Sequence, residues 1–393
     1  MRVLAVTDDR VGPVMAGSAL RAWELSRVLL EAGHEVVLAG AAGSRHPEGH
    51  GPPVVTKARW RGIDAVVGAP WSLPPRAFIG SHLLVIDGAT PLLAELEASP
   101  LTPAVRRRTR TAAARLPLVA ARADAVLAAG SAQVGWWRER LSRRPGVPVI
   151  DVPFGIPDTD PPPEEDAIEG VPHGWSVILW WGGVWPWLDL DTLLAARALL
   201  GSTSVSLVVP TAPRPGSEAS IFSSVDLLAA ARRHGLHPPA VVPLERWVPY
   251  AERHRILNRA SLLAVLHEPG PEADLSFRTR ALDGLWAGVP LLVSEGGAVA
   301  EWARVGGWGG VVPTHAVDAT AAAMDLLLGR REQERCRQAL AAHREAWRWS
   351  LVGQPLCEAL TELPVAPRNA VLPAAIDAAS ILLRRHEPVR VPA

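Results

Sequence analysis

Short, wholly apolar runs recur along the chain, each closed by glycine, proline or an acid and followed by a helical stretch. The first runs from Arg2 to Thr7 and stops at Asp8 and Asp9. After the loop RVGPVMAGSA comes LRAWELSRVLLEAG, in which Leu20, Trp23, Leu25, Val28 and Leu29 keep helical spacing. Gly33 is the expected C-cap and HEVVLAG the next strand. IDAVVGAP, SHLLVIDGATP, ADAVLAAG and VPVIDVPFG continue the series, with helices expected over 102–122 and, from an N-cap at Ser131, over 131–142. Strands that do not alternate polar with apolar are strands buried on both faces, as a parallel sheet covered by helices requires.

The pattern breaks at residues 155–174, GIPDTDPPPEEDAIEGVPHG, which are rich in proline and acid and carry no periodicity. Such a stretch reads as a connector. The alternation then restarts with WSVILWWGG, VSLVVP, AVVPLE, SLLAVLHEP and VPLLVSEGG, separated by helices expected over 188–200, 221–234 and 250–258. A final helix is expected over 373–385. The 393 residues suit two doubly wound α/β domains of roughly 150–200 residues each. Ligands of such folds bind at the carboxyl ends of the strands, and between two of them in the cleft.

Composition removes several alternatives. With 40 basic and 40 acidic residues the formal charge is zero, which disfavours a sequence-independent nucleic-acid binder. Lys57 is the only lysine, so phosphate contacts must come from arginine forks, backbone amides or helix N-termini. Cys336 and Cys357 lack metal-ligand spacing and suit a reducing compartment. No HExxH or aspartate-rich motif occurs, so no metal and no cofactor is expected. The start, MRVLAVTDDR, reads as a strand rather than a signal peptide, and no apolar run reaches the ~20 residues of a membrane span. A cytoplasmic monomer or homodimer is the expectation.

Residues 267–290, HEPGPEADLSFRTRALDGLWAGVP, concentrate charge just before an apolar strand. A helix starting near Ser276 would be capped by that hydroxyl, leaving the amides of Phe277, Arg278 and Thr279 as donors at the positive end of the dipole. Ser276, Arg280 and Asp283 would share one stripe, with Leu275, Leu282 and Trp286 on another. The segment reads equally as a solvated amphipathic helix. Gly182 and Gly183 in WWGGVWPWLD, beside Val184 and Trp185, and Gly296 and Gly297 in SEGGAVAEW, stand at two further strand-to-helix junctions on the same sheet edge. His267 and Glu268 lie on that edge, and Trp71, Trp181 and Trp185 could stack on a ring. In the first half, GPVMAGSALR offers Gly12, Met15, Gly17 and Ser18 before a helix, and Asp87 ends a strand. Val14 occupies the position where a GxGxxG fingerprint needs glycine, which disfavours an NAD-dependent oxidoreductase.

Taken in order, VTDDRVGPVMAGSALRAWELSRVLLEAGHEV, ADAVLAAGSAQVGWW, VPFGIP, WWGGVWPWLD and ADLSFRTRALDGLWAGVPLLVSEGGAVAE resemble a family 4 glycosyltransferase of the two-domain GT-B type. The likeness covers nearly the whole chain and is strongest to the bacterial subgroup with SFRTR before LDxLWAGxP. It implies a GT-B architecture, two Rossmann-like doubly wound parallel-sheet domains facing a central cleft. Residues 1–155 would bind the acceptor, 156–174 link, 175–365 bind the nucleotide-sugar, and 366–393 pack back on the first domain. It further implies a retaining, metal-independent transfer from a nucleotide-diphosphate sugar to a small-molecule or glycan acceptor.

The family motif is a pair of glutamates eight residues apart, the second five residues before the glycine of AxGxP. The second falls on Asp283, five residues before Gly288, and the first on Leu275, with Glu272 as the nearby substitute. By the resemblance Asp283 meets the nucleotide ribose and Glu272 the donor sugar. The family's Arg and Lys on the loop after the linker are absent from GGVWPWLD, so Arg278, Arg280, the amides of Phe277 and Arg278, and the two Gly-Gly loops would face the diphosphate. Met15, Gly17, Ser18, Trp71 and Asp87 are the expected acceptor-side residues. Four other readings stay open: a GT-B-fold enzyme with a non-standard donor or acceptor (a cyclitol, or an S- or N-acceptor), a nucleotide-sugar epimerase, an oxidoreductase, and a non-catalytic partner subunit.

Overall fold

The computed structural model describes residues 1–217 and 221–363. The expected helix over 373–385 and the return segment 366–393 lie outside the described residues.

Two parallel sheets carry the chain. The first holds β1 (Arg2–Val6), β2 (Glu35–Ala39), β3 (Val54–Val55), β4 (Ala65–Gly68), β5 (Leu83–Asp87), β6 (Ala125–Ala128) and β7 (Val149–Asp151), in the order β3-β2-β1-β4-β5-β6-β7. The second holds β8 (Ser176–Trp180), β9 (Val205–Pro210), β10 (Val241–Leu244), β11 (Leu262–Val265), β12 (Leu291–Ser294) and β13 (Gly309–Val312), in the order β10-β9-β8-β11-β12-β13. Every registered pairing is parallel. Strand order reverses beside β1 and again beside β8, so each sheet has a switch point where the loops above its strand ends diverge. This is the expected GT-B arrangement.

The apolar runs became strands because they are buried on both faces: β6, β9, β11 and β12 have no exposed residue. Two strands escaped the pattern. β3 is two residues long, and β13 begins Gly309-Gly310. A Cβ at Gly309 would lie 1.8 Å from the Leu291 carbonyl oxygen, so only glycine lets β13 approach β12. Glycines of that kind hide a strand from hydropathy.

One apolar core passes from the first sheet into the second. Phe154 stacks on Phe277 at 5.5 Å between centroids and 22° between planes, joined by Trp302 and Trp349. Burying a ring of this size contributes about 1.5–3 kcal/mol. Helices Trp349–Val352 and Gln354–Glu362 already pack on helix Gly17–Glu31 of the first domain, upstream of residue 366. The connector holds no regular strand or helix, and its acids pair with arginines: Asp160 with Arg344 and Arg348, Asp166 with Arg255.

Candidate functional site

The carboxyl ends of both sheets face one cleft. β8 ends in a fully buried Trp180, and Gly182 then adopts φ +89, a left-handed conformation that turns the chain sharply before helix Leu190–Leu199. The turn brings the Gly183 carbonyl over the start of helix Arg280–Ala287, where it accepts from Arg280 Nη2 at 3.1 Å. Arg280 Nη1 is buried and has no hydrogen-bond partner among the described residues. Burial lowers the Arg280 pKa to about 10, which leaves it charged at neutral pH. A charged guanidinium with a buried, unused donor calls for an anion at this point.

A cavity of about 230 Å³ opens in front of that turn. Its walls include Trp181, Trp185, Trp247 and Tyr250 from the second domain, with Phe154 and Met15 from the first. Asp283 lines it and is fixed on both oxygens: Trp181 Nε1 donates to Oδ2 at 2.7 Å and Arg253 Nε to Oδ1 at 2.8 Å. The Arg253 guanidinium also stacks on Trp286 at 4.1 Å and on Tyr250 at 3.7 Å. The Tyr250 hydroxyl hydrogen-bonds Glu24, a buried acid on helix Gly17–Glu31. One polar chain thus runs from the first domain to the cavity floor.

Behind Arg280 lies a second group of residues. His267 is buried, and its Nδ1 lies 2.9 Å from Glu272 Oε2. Burial and the neighbouring Arg278 and Arg280 hold His267 well below the usual imidazole range, while burial raises Glu272 to about 7. The imidazole is therefore neutral at neutral pH. Across the cleft, the Glu272-bearing helix Pro271–Leu275 packs against helix Leu92–Glu97. There Glu95 is also raised to about 7, by burial first and by the Glu272 carboxylate next. Gln133 closes the cleft beside them, donating to Leu275 O at 2.7 Å and Ala89 O at 2.9 Å.

Met15, Gly17, Gly182, Gly183, Trp185, Arg280 and Asp283 all line the cavity. Glu272 and His267 form the dyad behind it, and Val184 packs on the core of the second sheet. The expected helix start at Ser276 is corrected. Ser276 is the C-cap of helix Pro271–Leu275, in extended conformation, and the next helix begins only at Arg280. Phe277 causes the break, because its ring is drawn into the interdomain core. The amides of Phe277 and Arg278 are consequently not at a helix N-terminus. Instead of capping that turn, Ser276 hydrogen-bonds the Glu272 side chain.

Arg278 faces away from the cavity, with Nη1 on the Ser294 carbonyl and Nη2 on Glu295 O at 2.9 Å. It supports the Gly296–Gly297 turn at the start of helix Gly297–Gly306.

The other expected acceptor contacts, Asp87, Trp71 and Ser18, are not among the residues that line the cavity. Asp87 takes both oxygens to Arg21 Nε at 2.9 Å, and Arg21, 1% exposed, also binds Val152 O and Pro153 O. Trp71 packs on the Leu92, Leu96 and Ala112 cluster, and Ser18 donates to Asp9, itself paired with Arg214 of the second domain. The residues absent from the sequence reading are Arg253, Tyr250, Trp247, Glu24, Arg21, Glu95 and Gln133. Only the density of aromatic and basic residues in ERWVPYAERHR, directly after an apolar run, could have signalled some of them.

No known family profile and no curated protein sequence matches the chain. Solved structures do. A sucrose-phosphate synthase from Thermosynechococcus elongatus superposes with a TM-score of 0.66 at 13% identity, covering 92% of this chain and 99% of that one. WaaG, a glycosyltransferase involved in lipopolysaccharide biosynthesis, gives 0.65 at 13% identity, covering 92% and 100%. HepE of Anabaena, solved in complex with UDP-glucose, gives 0.65 at 15% identity, covering 92% and 100%. At these identities the likeness establishes the fold, over nearly the full described length.

Proposed function

We propose that the chain is a glycosyltransferase that moves a sugar from a nucleoside-diphosphate donor, held by the second domain, to an acceptor entering from the first. One observation carries the reading: the buried, unpartnered Nη1 of Arg280 at the mouth of the Gly182–Gly183 turn, beside an aromatic cavity floored by Asp283. An arginine held there meets charge that grows on the diphosphate as the glycosidic bond breaks, and no solvent reorganisation is needed. Asp283, with carboxylate lone pairs left after Trp181 and Arg253, faces the ribose hydroxyls. The Glu272–His267 pair stands where the donor sugar would lie, and the free Nε2 of His267 meets a sugar or acceptor hydroxyl.

Attack on the face the diphosphate leaves requires no enzyme nucleophile, which suits a retaining outcome with arginine and amides in place of a metal at the diphosphate. The acceptor, a small molecule or glycan, would enter past Met15 and Gly17. The free thiols Cys336 and Cys357 suit a reducing cytoplasm, and the reading keeps a monomer or homodimer as the working unit. No described helix is long and apolar enough to cross a membrane.

One observation favours a second reading. Glu95 and Glu272 are facing carboxyls that both ionise near neutrality, the kind of pair that a nucleotide-sugar epimerase needs for elimination and readdition. Incubation with UDP-, GDP- and dTDP-hexoses, with and without a mixed sugar-acceptor pool, separates the two. Acceptor-dependent release of one nucleoside diphosphate supports transfer, and acceptor-independent conversion to an epimeric sugar supports the alternative. No turnover of any donor, together with no thermal shift by any nucleoside diphosphate, contradicts both.

A further inference from the structure

Outside the cavity, three potential metal ligands converge at the carboxyl edge of the second sheet. Asp189 is the N-cap of helix Leu190–Leu199, Glu268 lies three residues beyond β11, and His315 three residues beyond β13. We propose that Asp189, Glu268 and His315 bind a single first-row divalent cation, Zn²⁺ foremost, which ties the turn carrying Gly182 to Trp185 to the ends of β11 and β13.

The ligand atoms of the three lie within 4.8 Å of one another. His315 Nε2 is 2.6 Å from Glu268 Oε2 and 3.9 Å from Asp189 Oδ2. Ligands of a tetrahedral zinc ion lie ~3.3 Å apart, as bonds of ~2.0 Å require. Small rotations of the exposed His315 and the half-buried Glu268 reach that spacing around the fixed Asp189. One imidazole and two carboxylates with an open position for water is a donor set for Zn²⁺ or Mn²⁺ rather than for a thiophilic ion.

The scaffold holds the ligands in place. Asp189 is 4% exposed; its Oδ1 accepts from Thr192 N at 3.0 Å, and Oδ2 makes no hydrogen bond among the described residues. A carboxylate oxygen so placed, with an imidazole at 3.9 Å, is available to a cation between the two. The backbone fixes Asp189 and Glu268 side by side through Asp189 N to Leu266 O at 3.1 Å and Glu268 N to Trp187 O at 3.0 Å. His315 has φ +57, the one positive value at a non-glycine residue among those described, and this conformation orients its ring. No motif announces the site, because its ligands come from three separate loops. None of the three lines the cavity, so the inference stands apart from the transferase reading.

Full-length protein stripped with a chelator is titrated calorimetrically with ZnCl₂, and in parallel with MnCl₂ and CaCl₂, while Tm is followed. The expected result is saturable uptake of about one Zn²⁺ per chain with a rise in Tm. Glu268→Gln and His315→Asn should each weaken uptake at least tenfold. Asparagine tolerates the left-handed backbone, so the second variant keeps the loop while losing the ligand. His343→Ala, at an exposed histidine elsewhere, should bind as the parent does. Absence of saturable uptake, or uptake equal in the parent and in folded His315→Asn, overturns the assignment.

Discussion

Trp181 donates its indole hydrogen to Oδ2 of Asp283 across 2.7 Å. The contact joins the loop after β8 to helix Arg280–Ala287 and turns the carboxylate toward the cavity. Trp181→Phe keeps a ring but removes the donor. Hydrogen bonds to charged groups contribute ~1.5 kcal/mol or more, so nucleoside-diphosphate affinity should fall about tenfold. Titration calorimetry on the variant reads this directly, and an unchanged Kd removes Asp283 from the nucleotide site.

Arg278 and Arg280 should separate in unfolding experiments. Arg278→Ala loses the donors to Ser294 and Glu295 and should cost about 2–4 kcal/mol in urea unfolding. Arg280→Ala loses one bond, to Gly183 O, and removes a buried nitrogen that has no hydrogen-bond partner among the described residues, so it should cost less than about 1 kcal/mol. The reverse order would exchange their roles.

Asp87→Ala should destabilise the first domain by about 3–5 kcal/mol, because it strands the buried Arg21. A variant as stable as the parent, with acceptor use impaired, would restore the acceptor role expected from sequence.

Glu95 and Glu272 predict a pH effect. Both ionise near 7 when folded, against an ordinary value of 4.5. Glu95 faces Glu272, Arg108, Arg214 and Asp9; Glu272 faces Ser276, Arg278, Arg280 and His267. Between those values the folded chain holds protons that the unfolded chain has released. Their contribution is complete below about 4.5 and is lost as pH rises through about 7. His82 and His267, held below 6.5, act in the opposite sense as pH falls. The test is therefore a difference: Tm of Glu95→Gln should decline less than that of the parent between about pH 5 and pH 8. Parallel curves would show that Glu95 keeps an ordinary pKa.

The fold was legible because its strands are uniformly apolar and its breaks are proline and glycine. β13 was not, because its leading glycines serve contact with β12 rather than hydropathy. At the site, short-range signals account for Gly182, Gly183, Arg280 and Asp283 lining the cavity, where a turn or a helical register puts them. They failed at Ser276, because the pull of Phe277 into the core against Phe154 is tertiary. Nor could they show the ion pair of Asp87, whose partner Arg21 is 66 residues away in sequence. The Glu24–Tyr250–Arg253 chain was hidden for the same reason, since charges on an amphipathic helix look solvated until the second domain covers them.

Arg280 provides the most direct test. Titration calorimetry with UDP, GDP and dTDP should show one nucleoside diphosphate binding the parent. Affinity should fall at least tenfold in Arg280→Ala, and the Arg280→Lys variant should recover only part of it. If no nucleoside diphosphate binds, or if the folded Arg280→Ala variant binds as tightly as the parent, the cleft is not a diphosphate site and the proposed transferase function is wrong.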